Sequence, residues 1–433
     1  MAVVEQESTE LQHGRATGLA ALLQIRDFRL LWLGEGISLL GDQFQFIALP
    51  WLVLQLTGDG LAIGTVLALA GVPRALFMLV GGALTDRFSP RRVMLASNAA
   101  RMVLVLGLAL LVLGNAISLW MVYLFALAFG LADAFFYPAQ SSIIPRIVGK
   151  EQLRLANSVT QGTAQISLFA GPMLAGTLIA LMSRGSTGGN LDGIALALIV
   201  NAMTFLVSVI TLGAIRIHGE QARDGEQESV LATIIEGLRY VWKDTVLRTI
   251  FLLIAAANFL IVGPINVGIP LLADTRLAGG AAAYGIIMSA FGAGSLLGIV
   301  VAGALPRPPA RVLGTILLLV WSSMGLAVAP LGLLSTTAAI AGLMLVAGAA
   351  NFYVVIIFTT WLQERAPATM LGRVMSLLMF ASNGLLPVST ALSGALLDLN
   401  IAGVFAVAGV TMTALVLLSL LNPTVRSMEA QAQ

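Results

Sequence analysis

The sequence predicts an all-α membrane protein with 12 transmembrane helices in two six-helix halves. Three observations predict it. Only 10% of the 433 residues are charged and 58% are hydrophobic, whereas a soluble domain carries about 25% charged residues. Mean hydropathy is +0.95. Apolar segments long enough to cross a bilayer, about 20 residues each, recur along the whole chain. The first six lie near 30–54, 61–84, 93–113, 118–141, 157–182 and 192–214. The second six lie near 248–272, 281–304, 312–330, 336–361, 372–397 and 401–421. They lack the alternation, over segments of about 10 residues, of a membrane β-barrel, so helices are expected.

This composition excludes a soluble enzyme and a nucleic-acid binder. The absence of Cys excludes disulfides and thiolate metal sites. No nucleotide-binding loop, metal-ligand cluster or catalytic triad is found, so neither a cofactor nor a metal is expected, and the chain is read as no enzyme.

The layout follows as a cytoplasmic N-terminal segment (1–29), a first six-helix half (30–214), a cytoplasmic linker (215–247), a second half (248–421) and a cytoplasmic tail (422–433). Basic residues set the orientation. With the N-terminus inside, 19 of the 23 Lys and Arg face the cytoplasm, only Arg184 and Arg276 face outward, and Arg74 and Arg101 are embedded. That bias obeys the positive-inside rule, with both termini cytoplasmic. Within the linker, Val230, Leu231, Ile234, Ile235, Leu238, Val241 and Trp242 recur at helical spacing opposite Glu236, Arg239 and Lys243. This predicts an amphipathic helix on the cytoplasmic surface, a mechanical tether between the halves.

The halves echo each other. Phe136-Tyr137 near the end of the fourth span matches Phe352-Tyr353 in the tenth, half a chain away. Six-plus-six spans with such an echo point to a duplicated transporter.

The loop after the second span reads Gly81-Gly82-Ala83-Leu84-Thr85-Asp86-Arg87-Phe88-Ser89-Pro90-Arg91-Arg92. It resembles the signature loop of the major facilitator superfamily, with Ser89-Pro90 in place of the family's glycine. The resemblance implies the major facilitator fold and a gating loop carried by Gly82, Asp86, Arg87, Arg91 and Arg92. The corresponding loop of the second half, 303–311, lacks the acid. In the fifth span, Ser167 to Gly176 resembles the Gly-Pro motif of the superfamily's exporters through Gly171, Pro172 and Gly176. The stretches 40–58 and 71–87 resemble its macrolide-efflux-like and siderophore-exporter-like branch. That branch implies export across a prokaryotic inner membrane. The Arg often found in the family's fourth span is absent; Ala126 stands there.

A charge inside a span costs about 2.5–3.5 kcal/mol, so each one needs a partner or a wet cavity. The embedded charges are Glu35, Asp42, Arg74, Arg101 and Asp133, all in the first half. Depth along the helices, at about 1.5 Å per residue, predicts an upper pair of Asp42 with Arg74. A lower cluster of Glu35, Arg101 and Asp133 is expected beneath it. Three acids against two Arg leave one carboxylate in excess, as proton coupling requires. Asp42 and Glu35 lead as proton carriers and Asp133 follows, with Arg74 and Arg101 as charge partners. The alternative is a static ion-pair network.

Neutral polar residues including Asn266 and Asn383 mark a midplane cavity. The resemblance, which places spans 1, 4, 7 and 10 around it, favours Gln45, Tyr137, Asn258 and Asn351. The expectation is a secondary transporter that exports an amphipathic or hydrophobic small molecule, drug-like or siderophore-like, by proton antiport and alternating access. Its partners are the small-molecule substrate, protons and the lipid bilayer, with no nucleic acid, and it is expected to be a monomer. The rivals are a proton-coupled or facilitative nutrient importer and a lipid flippase of the same fold.

Overall fold

The computed structural model describes residues 18–87, 89–183, 191–216, 230–306, 308–365 and 367–428. Side chains of 78–87, 230–235, 368, 369 and 372 lie outside that description. Among the described residues the structure is helical, with 12 helices long and apolar enough to cross a membrane. Spans 1 to 6 are Arg26–Thr57, Gly60–Arg87, Pro90–Leu113, Leu119–Ile147, Leu153–Ser183 and Asp192–Ala214. Spans 7 to 12 are Thr245–Arg276, Gly280–Ala304, Ala310–Val328, Thr337–Arg365, Ala368–Leu397 and Ile401–Ser419.

Three spans are interrupted, each just before a proline. Span 4 breaks at Phe135, ahead of Pro138; span 7 holds a π-helical turn, Asn258–Val262, ahead of Pro264; span 11 breaks after Asn383, ahead of Pro387. Proline lacks the N–H that would bond one turn back, and its ring crowds the preceding backbone. The carbonyl of Phe259, freed in the π-turn, accepts from the Ser389 hydroxyl of span 11 in a very short contact. Spans 7 and 11 are thus pinned at their breaks.

The linker helix, Val230–Lys243, leans on the second half. Glu236 pairs with Arg373 at 2.5 Å, Val241 is buried, and Trp242 meets Phe251 edge-on. Asp244 caps the start of span 7 by accepting from the N–H groups of Val246 and Leu247, and Arg365 of span 10 binds it at 2.8 Å.

The halves meet along two seams, span 2 against span 11 and span 5 against span 8. Both are built on glycine. A Cβ on Gly64 would collide with the Thr390 carbonyl, and one on Gly285 would collide with the Pro172 carbonyl. Small residues let backbones approach to this distance. Polar side chains bridge the halves at the end of the molecule that carries residues 57–60, 276–280 and 397–401. There Gln55 donates to Asp274 at 3.1 Å, and the Asp398 carboxylate accepts from the N–H groups of Gly60 at 2.8 Å and Leu61 at 3.0 Å. The first turn of span 2 is therefore capped by a side chain of the opposite half.

Candidate functional site

A cavity of about 440 Å³ lies between the halves beneath these seams. That is the size of a drug-like ligand site. Phe46, Leu49, Leu67, Phe125, Phe129 and Met379 give it apolar walls. Its polar face comes from Asp42, Arg74, Arg101 and Asp133, with Gln45 and Tyr137 beside them.

The charges gather on one wall, where the expected contact of Arg101 with Asp133 forms but the expected pair of Asp42 with Arg74 does not. Asp133, not Asp42, is the hub. Its two oxygens meet Arg74 Nε at 2.7 Å and Arg101 Nη1 at 3.0 Å. The Arg74 contact is an ion pair whose geometry is too bent for a directed hydrogen bond. Asp42 lies 4.0 Å from Arg101 and is not the partner of Arg74. The depth estimate missed this because the break at Phe135 sits two residues beyond Asp133 and re-aims that end of span 4.

Burial separates the roles. The side chains of Asp133 and Arg101 are 4% and 2% exposed, whereas Asp42 is 27% and Arg74 40% exposed. Arg101 is also stacked between Phe136 and Phe205, its guanidinium carbon 4.1 and 4.6 Å from the ring centres. Such contacts add to the attraction that holds a desolvated cation in place. Asp133 is gripped by two guanidinium groups. Asp42 is held loosely and faces the cavity.

Glu35 is not in the lower cluster. It is buried against neutral donors, Ser208 Oγ at 2.7 Å and Asn98 Nδ2 at 3.4 Å. Asn98 in turn accepts from Arg101 in a very short contact. Asn98, Ser208 and Phe205 were passed over in the sequence. Asn98 had a signal, lying one helical turn before Arg101; Ser208 and Phe205 had none.

Two of the four expected cavity residues line it. Tyr137 is exposed to it, and Gln45 borders it while accepting from Asn201 at 2.9 Å. Asn258 and Asn351 do not. Asn258 donates to Ile254 one turn back at the edge of the π-turn. Span 10 packs instead on span 8, where Gly294 and Gly298 meet Leu345 and Ala349. The second half presents Asn266 of span 7 and Asn383, Pro387 and Thr390 of span 11, brought inward by the break at Asn383.

In the exporter motif, Gly171 packs on Gln43 of span 1, while Gly176 and the Pro172 carbonyl pack on Gly285 of span 8. Pro172 has no N–H, so the Leu168 carbonyl lacks its helical partner, and Gly292 lies against it. Met173 N–H donates across the seam to Ser289 at 2.8 Å. The motif is thus part of the inter-half contact. Gly285→Leu is expected to force this seam apart. With no native Cys, a single reporter, Asn383→Cys, would read it. Labelling by a membrane-impermeant thiol reagent from the seam side should rise above the Gly285 background, and unchanged labelling would refute the role.

In the gating loop, the side chains of Gly82, Asp86 and Arg87 lie outside the described residues. Arg91 is committed to its own half. It donates to the carbonyls of Leu212 and Gly213 at 2.7 and 2.6 Å and caps the end of span 6. Arg92 borders the groove between spans 3 and 4.

Partial desolvation at the rim of the seam raises the Asp398 carboxyl above the usual carboxylate range, a hydrogen bond to Asp59 adds to the effect, and the N–H groups of Gly60 and Leu61 offset part of it. A group whose pKa is raised by closure binds its proton more tightly in the closed form. Closure is therefore favoured as pH falls through that raised pKa and weakened as pH rises through it. Spin labels at Leu61→Cys and Leu396→Cys should report a longer distance at higher pH. Asp398→Asn should abolish the response while keeping the seam.

The comparisons agree with this architecture. Residues 16–433 match the family described as transmembrane secretion effectors of the major facilitator type. The Tap multidrug efflux pump of Mycolicibacterium fortuitum is 28% identical over 367 residues, covering 83% of this chain and 86% of its own. The enterobactin exporter EntS of Escherichia coli O1:K1 is 27% identical over 351 residues, covering 80% and 79%. A bacterial homologue of the iron transporter ferroportin, solved in an inward-facing state, superposes with TM-score 0.70 at 16% identity over 92% of this chain and 98% of that one. A bacterial homologue of the lysosomal transporter Spinster, inward-facing and unoccupied, superposes with TM-score 0.64 at 15% identity over 93% and 96%. Twelve apolar spans, two glycine seams and a charged central cavity thus meet a family match across nearly the whole chain: the protein belongs to the transmembrane secretion effectors of the major facilitator superfamily, multi-pass membrane transporters of the efflux type.

Proposed function

We propose that this transporter exports an amphipathic or hydrophobic small molecule, drug-like or siderophore-like, in exchange for protons by alternating access. One observation carries the reading. Asp42, a loosely paired carboxylate, faces an apolar cavity large enough for such a molecule, beside two guanidinium groups already engaged by Asp133. A proton on Asp42 and a substrate in the cavity then compete, because ionised Asp42 is drawn to Arg101 and reshapes the wall. The apolar walls suit the lipophilic part of the substrate, and Arg74, the most exposed charge, suits an anionic or phenolic group.

The basic-residue bias supports a cytoplasmic location for both termini, the linker and the tail. The seamed end is then the outer face, and the conformation is the one sealed to the outside. The loop at Asp86 would latch the opposite end when the halves rock. The test is expression in a bacterial host stripped of its own pumps, screened with lipophilic drugs and catecholate siderophores. Wild type should raise resistance or secretion for at least one compound and Asp42→Asn for none. Equal performance of the two would refute the reading.

A further inference from the structure

The charge network does not end at the cavity wall. Behind Arg101, away from the cavity, Asn98 Oδ1 accepts from the guanidinium, and Asn98 Nδ2 donates to Ser208 Oγ at 2.7 Å. Ser208 donates to Glu35 at 2.7 Å. Arg101, Asn98, Ser208 and Glu35 come from spans 3, 6 and 1 and are between 0% and 4% exposed. Glu35 is not part of the cavity. It borders a separate notch of about 10 Å³, beside Trp32, Gln140, Thr160 and Thr163, with space for about one water.

An apolar bundle does not bury an amide and a hydroxyl without bonding them, because each unpaired group costs roughly 1–3 kcal/mol. These two are bonded end to end, between a cation and a carboxylate. Their polarity is fixed at both ends. Arg101 only donates, so Asn98 must turn its oxygen to it and its N–H groups to Ser208. Ser208 accepts that bond and gives its own proton to Glu35. The charged groups that act on Glu35 are Arg101 of span 3 and Asp42 of span 1. Span 6 presents the Ser208 hydroxyl, and spans 4 and 5 present Gln140, Thr160 and Thr163.

We propose that Asn98 is a positioning residue for proton coupling, which with Ser208 links Glu35, as a second proton site on the notch, to the grip of Arg101 on Asp133 and Asp42. The proposal rests on the proton-antiport reading and extends it. With Glu35 ionised, the Ser208 hydroxyl is committed to it, and Asn98 holds the guanidinium back from Asp42. When Glu35 takes a proton, its carboxyl donates to Ser208 Oγ and the Ser208 hydroxyl turns away. Asn98 relaxes and Arg101 closes on Asp42, which gives up its proton to the cavity network. One proton is gained at Glu35 and one is lost at Asp42, so the two sites alternate.

The test needs no substrate. Difference infrared spectra of the full-length protein in liposomes resolve the C=O stretch of each protonated carboxyl, assigned through Glu35→Gln and Asp42→Asn. In the wild-type background, Glu35→Gln should move the Asp42 titration to lower pH, by roughly tenfold in proton affinity, about one pH unit. In the Asn98→Leu or Ser208→Ala background, Glu35→Gln should give a clearly smaller shift, the part that comes from the direct interaction of the two carboxylates. Ser208→Ala removes one oxygen and keeps the assay valid if Asn98→Leu misfolds. A full shift in both backgrounds, or a Glu35 carboxyl that never titrates, overturns the proposal. Proton-driven transport separates the two readings. If wild type transports under a pH gradient but the backgrounds make no difference, only the Asn98 link fails. If wild type shows the infrared coupling but no response to the gradient, the antiport reading fails.

Discussion

Asp133→Ala is expected to lower the thermal midpoint of the purified transporter more than any other single change in the cavity. Asp133 is nearer to Arg101, at 3.0 Å, than Asp42 is, at 4.0 Å, and it is the ion-pair partner of Arg74. Removing it leaves two buried or half-buried cations uncompensated. Breaking a buried pair from one side costs about 3–5 kcal/mol. Arg101, at the cavity wall, is only 2% exposed and stacked between two rings, so little of its charge can be solvated. Its Phe136 and Phe205 contacts soften the loss but do not replace a carboxylate. The double variant Asp133→Ala with Arg101→Leu should recover much of the stability, since it removes both ends of the pair. Thermal unfolding in detergent, followed by intrinsic Trp fluorescence, checks both. A wild-type midpoint for Asp133→Ala would mean that the hub is not structural.

Asp42→Asn is expected to have the opposite profile, a normal midpoint with transport uncoupled from the pH gradient. The carboxylate is 27% exposed and 4.0 Å from its nearest cation, so its structural contribution is small. Its amide cannot take up or release a proton. If Asp133→Ala and Asp42→Asn destabilise equally, the division between a structural hub and a mobile proton site fails.

Much of the fold was legible because membrane insertion leaves few choices. Each span must satisfy its own backbone, so about 20 apolar residues read directly as a helix. The five embedded charges were equally legible, because each violates the composition around it. Their pairing was legible only in part: Arg101 with Asp133 was expected, whereas Arg74 with Asp133 was not. Depth along a straight helix put Arg74 beside Asp42, but Pro138 breaks span 4 and brings Asp133 to both arginines. The same cause hid part of the cavity. Pro264 and Pro387 mark breaks that a proline scan could have placed, and the one in span 11 turns Asn383 inward where Asn351 of span 10 was expected. Asn98 and Ser208 are fully buried, yet neutral polar residues are common in spans; only the spacing of Asn98 from Arg101 was a signal, and Ser208 had none. The Gly-Pro motif of span 5 showed its small-residue character in the sequence. Its partner, Gly285 in the other half, becomes evident only once spans 5 and 8 are side by side.

The most direct test of the central claim uses everted membrane vesicles containing the full chain and a lipophilic fluorescent dye that the host screen identifies as exported. Acidifying the vesicle interior should drive dye inward against its gradient, a protonophore should release it, and Asp42→Asn should accumulate none. Accumulation that ignores the pH gradient, or that Asp42→Asn carries out as well as wild type, would contradict proton exchange at this cavity.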